Sequence, residues 1–251
     1  MQVSRMTMKE FAEGLKKTRI ALLPLGSTEE HGNHLPLDTD TMQVFHAAKL
    51  ATAMADFFLC PPINYGYCRS TGEHPGTISI SPETLRGLII DIATSLYKQG
   101  IRGLILASGH AGGIHMSAIE ESAERILAMF DDIEVAVLCE YHLAIDAVSE
   151  GVVETEDDGH AGEIETSRIL AINPELVKGS SPEEYPRFEK PFLSRNKRSR
   201  WPGGVWGDPS KATPEKGIIL YEASAKKLAA IVKELRARLA ANEVSSRRGD
   251  A

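Results

Sequence analysis

Apolar residues along this chain follow two rhythms, and their alternation predicts its architecture. Four stretches are nearly continuous in β-compatible apolar residues and close on Gly, Pro or polar residues: "RIALLPLGS" (19–27), "FLCPPINYGY" (58–67), "IRGLILASGH" (101–110) and "IEVAVLCEY" (133–141). The first and third read as buried strands, the second as a strand leaving through Pro and Gly into a loop, and the fourth as a strand. Between them the apolar positions recur at helical spacing, in "DTMQVFHAAKLATAMADF" (40–57), "SISPETLRGLIIDIATSLYKQG" (79–100) and "IHMSAIEESAERILAMF" (114–130). The second of these carries Ser81 as N-cap, Pro82 at the first helical position and Gly100 as its stop. A short amphipathic segment, "TMKEFAEGL" (7–15), precedes the first strand. Strands alternating with helices of this length predict an α/β fold with a mostly parallel sheet.

The second half is less regular. "HAGEIETSRILAINPEL" (160–176) opens a helix in a polar setting, residues 180–210 form a long loop punctuated by Pro and Gly, and residues 213–243 form a long closing helix. Loops of that length inside a compact domain are commonly functional. One domain over residues 1–243 is expected, followed by a flexible tail at 244–251, and no internal repeat is visible.

Composition narrows the partners. The chain has 251 residues, 42% of them hydrophobic, and a formal charge of −7. It is long enough for a sizeable core, and its acidic balance leaves no excess positive potential for a phosphate backbone. Nucleic acid is not expected as a partner. Neither is a membrane, since no apolar run approaches the ~18 residues a spanning helix needs. Cys60, Cys68 and Cys139 are odd in number and widely spaced, which fits free thiols in a reducing, cytoplasmic setting.

Candidate chemistry gathers where strands are expected to stop. In open α/β sheets ligands bind beyond the carboxyl ends of strands. Directly after the first strand comes "STEEHGNHLPLDTD" (27–40), with Glu29, His31 and Asp40; after the third comes "SGHAGG", with His110; and "GHAGEIETS" supplies His160, Glu163 and Glu165. Such oxygen and imidazole donors suit Zn, Mn or Fe better than calcium. Any one of these residues could simply cap a turn. Three clusters beside glycines are more readily explained by convergence on a cation.

These segments, together with "GVWGDPSKATPEKG" (204–217), resemble the successive signature segments of the creatininase (creatinine amidohydrolase) family, over about residues 20–220. The resemblance implies a three-layer α/β/α sandwich and metal-dependent hydrolysis of a carbon–nitrogen bond in a small cyclic or linear amide, other than an ordinary peptide bond. It implies one or two divalent ions (Zn, Mn or Fe) and a homo-oligomer, often a hexamer. Glu29, His31 and Asp40 match the metal ligands of the first segment, with Asp40 suited to bridging two ions. His110 matches a further ligand, His160 the catalytic histidine, and Glu165 an additional carboxylate ligand. A divalent ion lowers the pKa of bound water towards ~7 and polarises a carbonyl, while His160 would give the proton to the leaving nitrogen.

Departures from the family pattern bear on the substrate. Creatininases carry a glutamate two residues after the His110 position and a tryptophan four residues before the catalytic histidine; here these are Gly112 and Glu156. Ser108 replaces the usual Asn, and Gly113 the Asn often found after the Gly pair. Creatinine itself is therefore not the expected substrate, and other branches, such as formamidopyrimidine deformylases and the peptidases of mycofactocin maturation, show that the same frame accepts different amides. His34, Glu73 and His74 are candidates for substrate contact, as is Arg69, although each also fits a plain connecting loop. Glu30 and Asp38 could orient the ligand histidines or be solvated. His115 reads as a surface or packing residue and Trp206 as a packing anchor. Two other readings stay open, a hydrolase of a non-amide carbonyl compound such as an oxidised cyclitol, and a metal-binding protein without catalysis.

Overall fold

A computed structural model describes residues 1–144, 150–189 and 191–249, with side chains from 243 onward outside the description. Four strands, β1 (Ile20–Leu25), β2 (Phe58–Leu59), β3 (Gly103–Ser108) and β4 (Glu134–Cys139), form one all-parallel sheet in the order β2-β1-β3-β4. Among the described residues the α-helices are α1 (Met8–Leu15), α2 (Thr39–Ala51), α3 (Pro82–Lys98), α4 (Gly113–Met129), α5 (Glu163–Ile172), the single turn α6 (Lys197–Arg200) and α7 (Pro214–Gly249).

The layers follow from the two-residue period of the central strands. Ala21, Leu23 and Leu25 of β1, with Leu104 and Leu106 of β3, pack against Leu85, Ile89 and Ala93 of α3 and Ala118, Ile119 and Ile126 of α4. The intervening residues, Ile20, Leu22, Ile105 and Ala107, meet Val44, Ala47 and Ala48 of α2 and Tyr221, Ala225, Leu228 and Val232 of α7. Helices therefore cover both faces, and the α/β/α sandwich expected from the sequence is the one observed. Each fully buried Leu or Ile contributes roughly 1.5–3 kcal/mol, so the two apolar clusters dominate the stability.

Local signals set the helix ends. Ser81 Oγ accepts from Thr84 N at 3.1 Å with Pro82 next to the cap, and Gly100 takes the left-handed conformation (φ 103°) that closes the α3 region. Thr7 and Glu10 form a reciprocal capping box on α1. The second strand, expected to leave through Pro and Gly into a loop, spans Phe58–Leu59 and is continued by an isolated bridge from Leu25 to Ile63, because Pro61 and Pro62 have no N–H to offer a ladder. Helix α7 runs to Gly249. Among the described residues no helix is long and apolar enough to cross a membrane.

The chain leaves β1 towards β2 on one side and later returns to β3 on the other. The crevice between the carboxyl ends of β1 and β3, where Leu25 pairs with Ser108, is the topological switch point of the sheet. Residues 26–40 and 109–112 start there.

Candidate metal centre

Glycines let three segments close over this crevice. A Cβ on Gly26 would lie 2.7 Å from Thr41 Cα, and one on Gly109 only 2.1 Å from the Asp40 carbonyl oxygen. Only glycine permits that approach, and it seats the first turn of α2, carrying Asp40, between the ends of β1 and β3.

Glu29, His31, Asp40, His110 and Glu165 are all brought together here and buried. They form two groups joined by Asp40. His110 Nδ1 lies 2.7 Å from Glu29 Oε2 and 3.2 Å from Asp40 Oδ2. His31 Nε2 lies 3.2 Å from Asp40 Oδ1 and 3.5 Å from Glu165 Oε2. The two oxygens of Asp40 thus face different histidines. Cys68 adjoins the Glu29–His110 group and His160 the His31–Glu165 group.

Main-chain carbonyls orient the three histidines. His31 Nδ1 donates to Glu29 O (3.1 Å), His110 Nε2 to Tyr67 O (3.2 Å) and His160 Nε2 to Glu30 O (2.8 Å). In each case one nitrogen is committed to a carbonyl, which fixes the tautomer and leaves the other free to act as a donor or to carry a proton. Glu30 and Asp38 are expected from sequence proximity either to orient the histidines or to be solvated, whereas these backbone acceptors leave no mark on residue identity. Glu30 is buried, accepts from Gly32 N at 3.0 Å and lies 3.6 Å from His160; Asp38 is half-buried beside Asn64.

The electrostatics fit a cation. Glu29, Asp40 and Glu165 are carboxylates buried side by side, a grouping that desolvation opposes unless positive charge is close. Burial works to raise their pKa values, but the facing histidines outweigh it, holding Glu29 down at about 2 and Asp40 well below the ordinary carboxylate range. Glu165 is lowered in the same way by His31. Conversely, burial disfavours charge on His31 and His110, yet the carboxylates raise both well above 6.5. His31 Nε2 is fully buried and has no hydrogen-bond partner of adequate geometry, although it faces two carboxylate oxygens. An electron-pair donor so placed suits a divalent ion, and the imidazole and carboxylate set suits zinc or manganese.

Hydrogen bonds hold the carboxylates in place. Ser27 Oγ donates to Asp40 Oδ2 at 2.5 Å and lies 3.1 Å from Glu29 Oε2, and Thr71 Oγ1 donates to the other Glu29 oxygen. Glu165 Oε2 accepts from Ala161 N at 2.6 Å, which is possible because Ala161 takes a left-handed φ of 49°. That strained residue immediately follows His160.

A cleft of about 290 Å³ opens above the donors, walled by Tyr141, Phe188, Trp201 and Trp206, with Arg69 and Gly112 at its sides. Trp206 pairs with the His160 segment through three backbone hydrogen bonds (Gly159 N to Trp206 O, 2.8 Å; His160 N to Trp206 O, 3.1 Å; Trp206 N to His160 O, 2.7 Å) and its ring packs against Gly159. It is therefore a packing anchor that also walls the cleft. Gly112 sits against the His110 ring, where a Cβ would meet Nε2 at 2.5 Å.

Three expected substrate contacts are not among the cleft residues. His34 is buried with Nδ1 2.9 Å from Ser181 Oγ and Nε2 2.9 Å from Thr166 Oγ1, and burial lowers its pKa to about 4, so it works as a neutral tie. His74 Nε2 donates to Trp201 O at 2.7 Å while its Nδ1 lies 3.2 Å from Thr71 O, so the ring pins the loop to Trp201. Glu73 is exposed and accepts from Arg198 N at 3.4 Å. Polar residue type marks these positions in the sequence, but His34 is tied at both nitrogens and His74 at Nε2. His115, expected at the surface or in packing, is buried and packs inside: its Nδ1 accepts from Tyr67 N and its Nε2 faces Ser108 Oγ at 3.1 Å.

Comparison with known proteins agrees with this frame. The family model described as creatinine amidohydrolase (Creatininase) matches residues 4–232. The chain belongs to the creatininase family. It is 34% identical over 217 residues to a mycofactocin precursor peptide peptidase of Mycobacterium ulcerans, covering 80% of this chain and 79% of that protein. It is 29% identical to a creatinine amidohydrolase of Pseudomonas putida (92% and 96% covered) and 27% identical to a 3-dehydro-scyllo-inosose hydrolase of Thermotoga maritima (85% and 72%). Among solved structures it is similar to a mutant creatininase of Zn-Zn type, with a TM-score of 0.84, 26% identity and 93% and 97% of the two chains covered. It is similar also to a manganese creatininase, with a TM-score of 0.82, 26% identity and the same coverage. Creatininase-family relatives are hydrolases, and they include a peptidase, so the family does not confine its members to non-peptide bonds.

Proposed function

We propose that this creatininase-family protein hydrolyses the C–N bond of a small amide or peptide end with two divalent cations, zinc or manganese, held on Glu29, His110 and Asp40 and on His31, Glu165 and Asp40. One observation carries the reading, the division of Asp40 between the two histidines, Oδ1 to His31 and Oδ2 to His110, at 3.2 Å each. The second subsite draws its carboxylate from Glu165, so the missing side chain at Gly112 does not argue against it. Divalent ions held there would acidify a water and polarise a carbonyl oxygen.

The protein's own groups supply the rest. His160, whose Nε2–H is tied to Glu30 O, has Nδ1 left to carry a proton to the leaving nitrogen as the C–N bond breaks. Trp201 lies edge-on to the His160 ring at 5.3 Å and, with Trp206 and Phe188, would exclude water around an apolar or flat substrate group. The walls suit more than one amide. Gly112 and Glu156, standing where creatininases carry Glu and Trp, argue against creatinine, while the relative named as a peptidase widens the bond class beyond the non-peptide amides first expected. The inosose hydrolase relative favours one second reading, a cyclic carbonyl substrate without nitrogen. A homo-oligomer and a cytoplasmic setting belong to the same proposal, the latter supported by the free, buried Cys60, Cys68 and Cys139.

The test is metal-depleted protein, reconstituted with Zn²⁺ or Mn²⁺, assayed on formamides, lactams, short peptides and an oxidised cyclitol. Turnover that returns with the cation on an amide is expected. His160→Ala should retain bound cation but lose roughly 10²–10⁴-fold in turnover, and Asp40→Ala should lose cation from both subsites. Equal cation content in Asp40→Ala and wild type would refute the assignment.

A further inference from the structure

Beneath the centre, away from the cleft, lies a buried polar network that the proposed chemistry does not use. Among the described residues Arg168 is the largest fully buried side chain. It sits on α5, three residues beyond Glu165, close enough for its charge to be felt there. Nevertheless it does not pair with Glu165. Its Nη1 donates to Glu140 Oε2 at 2.9 Å and to Gln43 Oε1 at 3.3 Å, and its Nη2 donates to Ser224 Oγ at 3.0 Å. Gln43, 1% exposed on α2, donates from Nε2 to Glu165 Oε1 at 3.0 Å.

The orientation of that amide is dictated chemically. A guanidinium only donates, so Gln43 must turn its oxygen to Arg168, and its NH₂ is then the group that faces Glu165. The consequence is a division of labour. Arg168 is neutralised by Glu140, while Glu165 receives a hydrogen bond from a neutral donor and keeps its negative charge. With Oε1 held by Gln43, Oε2 is the oxygen directed at Ala161 N and His31 Nε2. A direct bidentate Arg168–Glu165 pair would have engaged both oxygens and offset the charge that a cation needs.

We infer that Gln43 is a positioning residue for the His31–Glu165 cation subsite, an amide placed between Arg168 and Glu165 so that the carboxylate is oriented without being neutralised. This rests on the two-cation reading above. Groups hydrogen-bonded to metal ligands in this way commonly govern 10–100-fold in metal affinity. Gln43→Met keeps the length of the side chain, removes its donor and should weaken the His31–Glu165 subsite by about that factor, leaving the Glu29–His110 subsite unchanged.

The experiment is a Mn²⁺ titration of metal-depleted full-length protein, with calorimetry for the affinities and electron paramagnetic resonance to show whether two ions sit side by side. Wild type should bind two ions with a coupled spectrum; Gln43→Met should bind one tightly, with a single-ion spectrum, until Mn²⁺ is raised. Ser224→Ala, which removes an Arg168 acceptor without touching Gln43, should leave both affinities intact. The Glu29–His110 subsite reports that the variant is folded, and Gln43→Ala, which adds no volume, replaces Gln43→Met should the latter not fold. Unchanged affinities in Gln43→Met, or equal loss at both subsites in a protein of wild-type circular dichroism, would overturn the role of Gln43. A wild type that binds no second ion would instead overturn the two-cation reading.

Discussion

Gly109→Ala tests how tightly the backbone frame holds Asp40. An added Cβ would lie 2.1 Å from the Asp40 carbonyl oxygen and 2.9 Å from its carbonyl carbon, where Cβ contacts below 3.0 Å are essentially never seen. The β3–α4 connection and the first turn of α2 would have to part by about 0.9 Å, the shortfall from that limit. Neither side yields easily. Gly109 N donates to Leu25 O at 2.8 Å, and Gly26 presses on Thr41 from the opposite side. Forcing one extra methyl into such a site costs about 1–3 kcal/mol. Displacing Asp40 by nearly an ångström in a centre that both histidines share should cost on the order of 10² in turnover as well. Gly113→Ala is the matched control: it lies in the same connection, opens α4 and has nothing within 4 Å of its Cβ position. Removing glycine flexibility there should be neutral or stabilise by up to about 1 kcal/mol. Urea unfolding and bound-cation content, measured on both variants, decide the matter. If Gly109→Ala matches wild type in both measurements, the close approach of these backbones is not what fixes Asp40.

Two further outcomes follow from buried charge. The Glu163 carboxylate is buried, which by itself would raise its pKa, but Lys216 Nζ at 2.6 Å and the backbone N–H groups of Glu154 and Thr155 outweigh this and lower it below 4.5. A depressed carboxylate contributes stability that is present above its unfolded pKa and lost as pH falls through the folded value, so Glu163→Gln should flatten the acid side of a melting-temperature profile below about pH 4.5; an unchanged acid limb would contradict this. Arg168→Met should destabilise the protein by about 3–5 kcal/mol in chemical denaturation, because it leaves the fully buried Glu140 carboxylate without its partner; a loss below about 1 kcal/mol would show that Glu140 is readily neutralised in place.

The sequence by itself determined the alternation of buried strands and covering helices, because the periods of two and 3.6 are local properties written directly in residue type. It also placed Glu29, His31, Asp40 and His110 after two particular strands, so their meeting at the β1–β3 switch point follows once those strands are adjacent and parallel. Tertiary structure decided the rest, and for a common reason: it depends on partners that residue identity does not name. The acceptors that orient His31, His110 and His160 are backbone carbonyls, which every residue carries. His34 and His74 look like site residues until Ser181, Thr166 and Trp201, more than a hundred positions away, are seen to occupy their nitrogens. Gln43 is one polar residue in an amphipathic helix until Arg168 and Glu165 close on its two ends. Local pattern encodes which residues can be buried or can donate; only the folded chain settles which atoms face one another, because hydrogen bonding and charge pairing act over a few ångströms and the chain alone does not fix those distances.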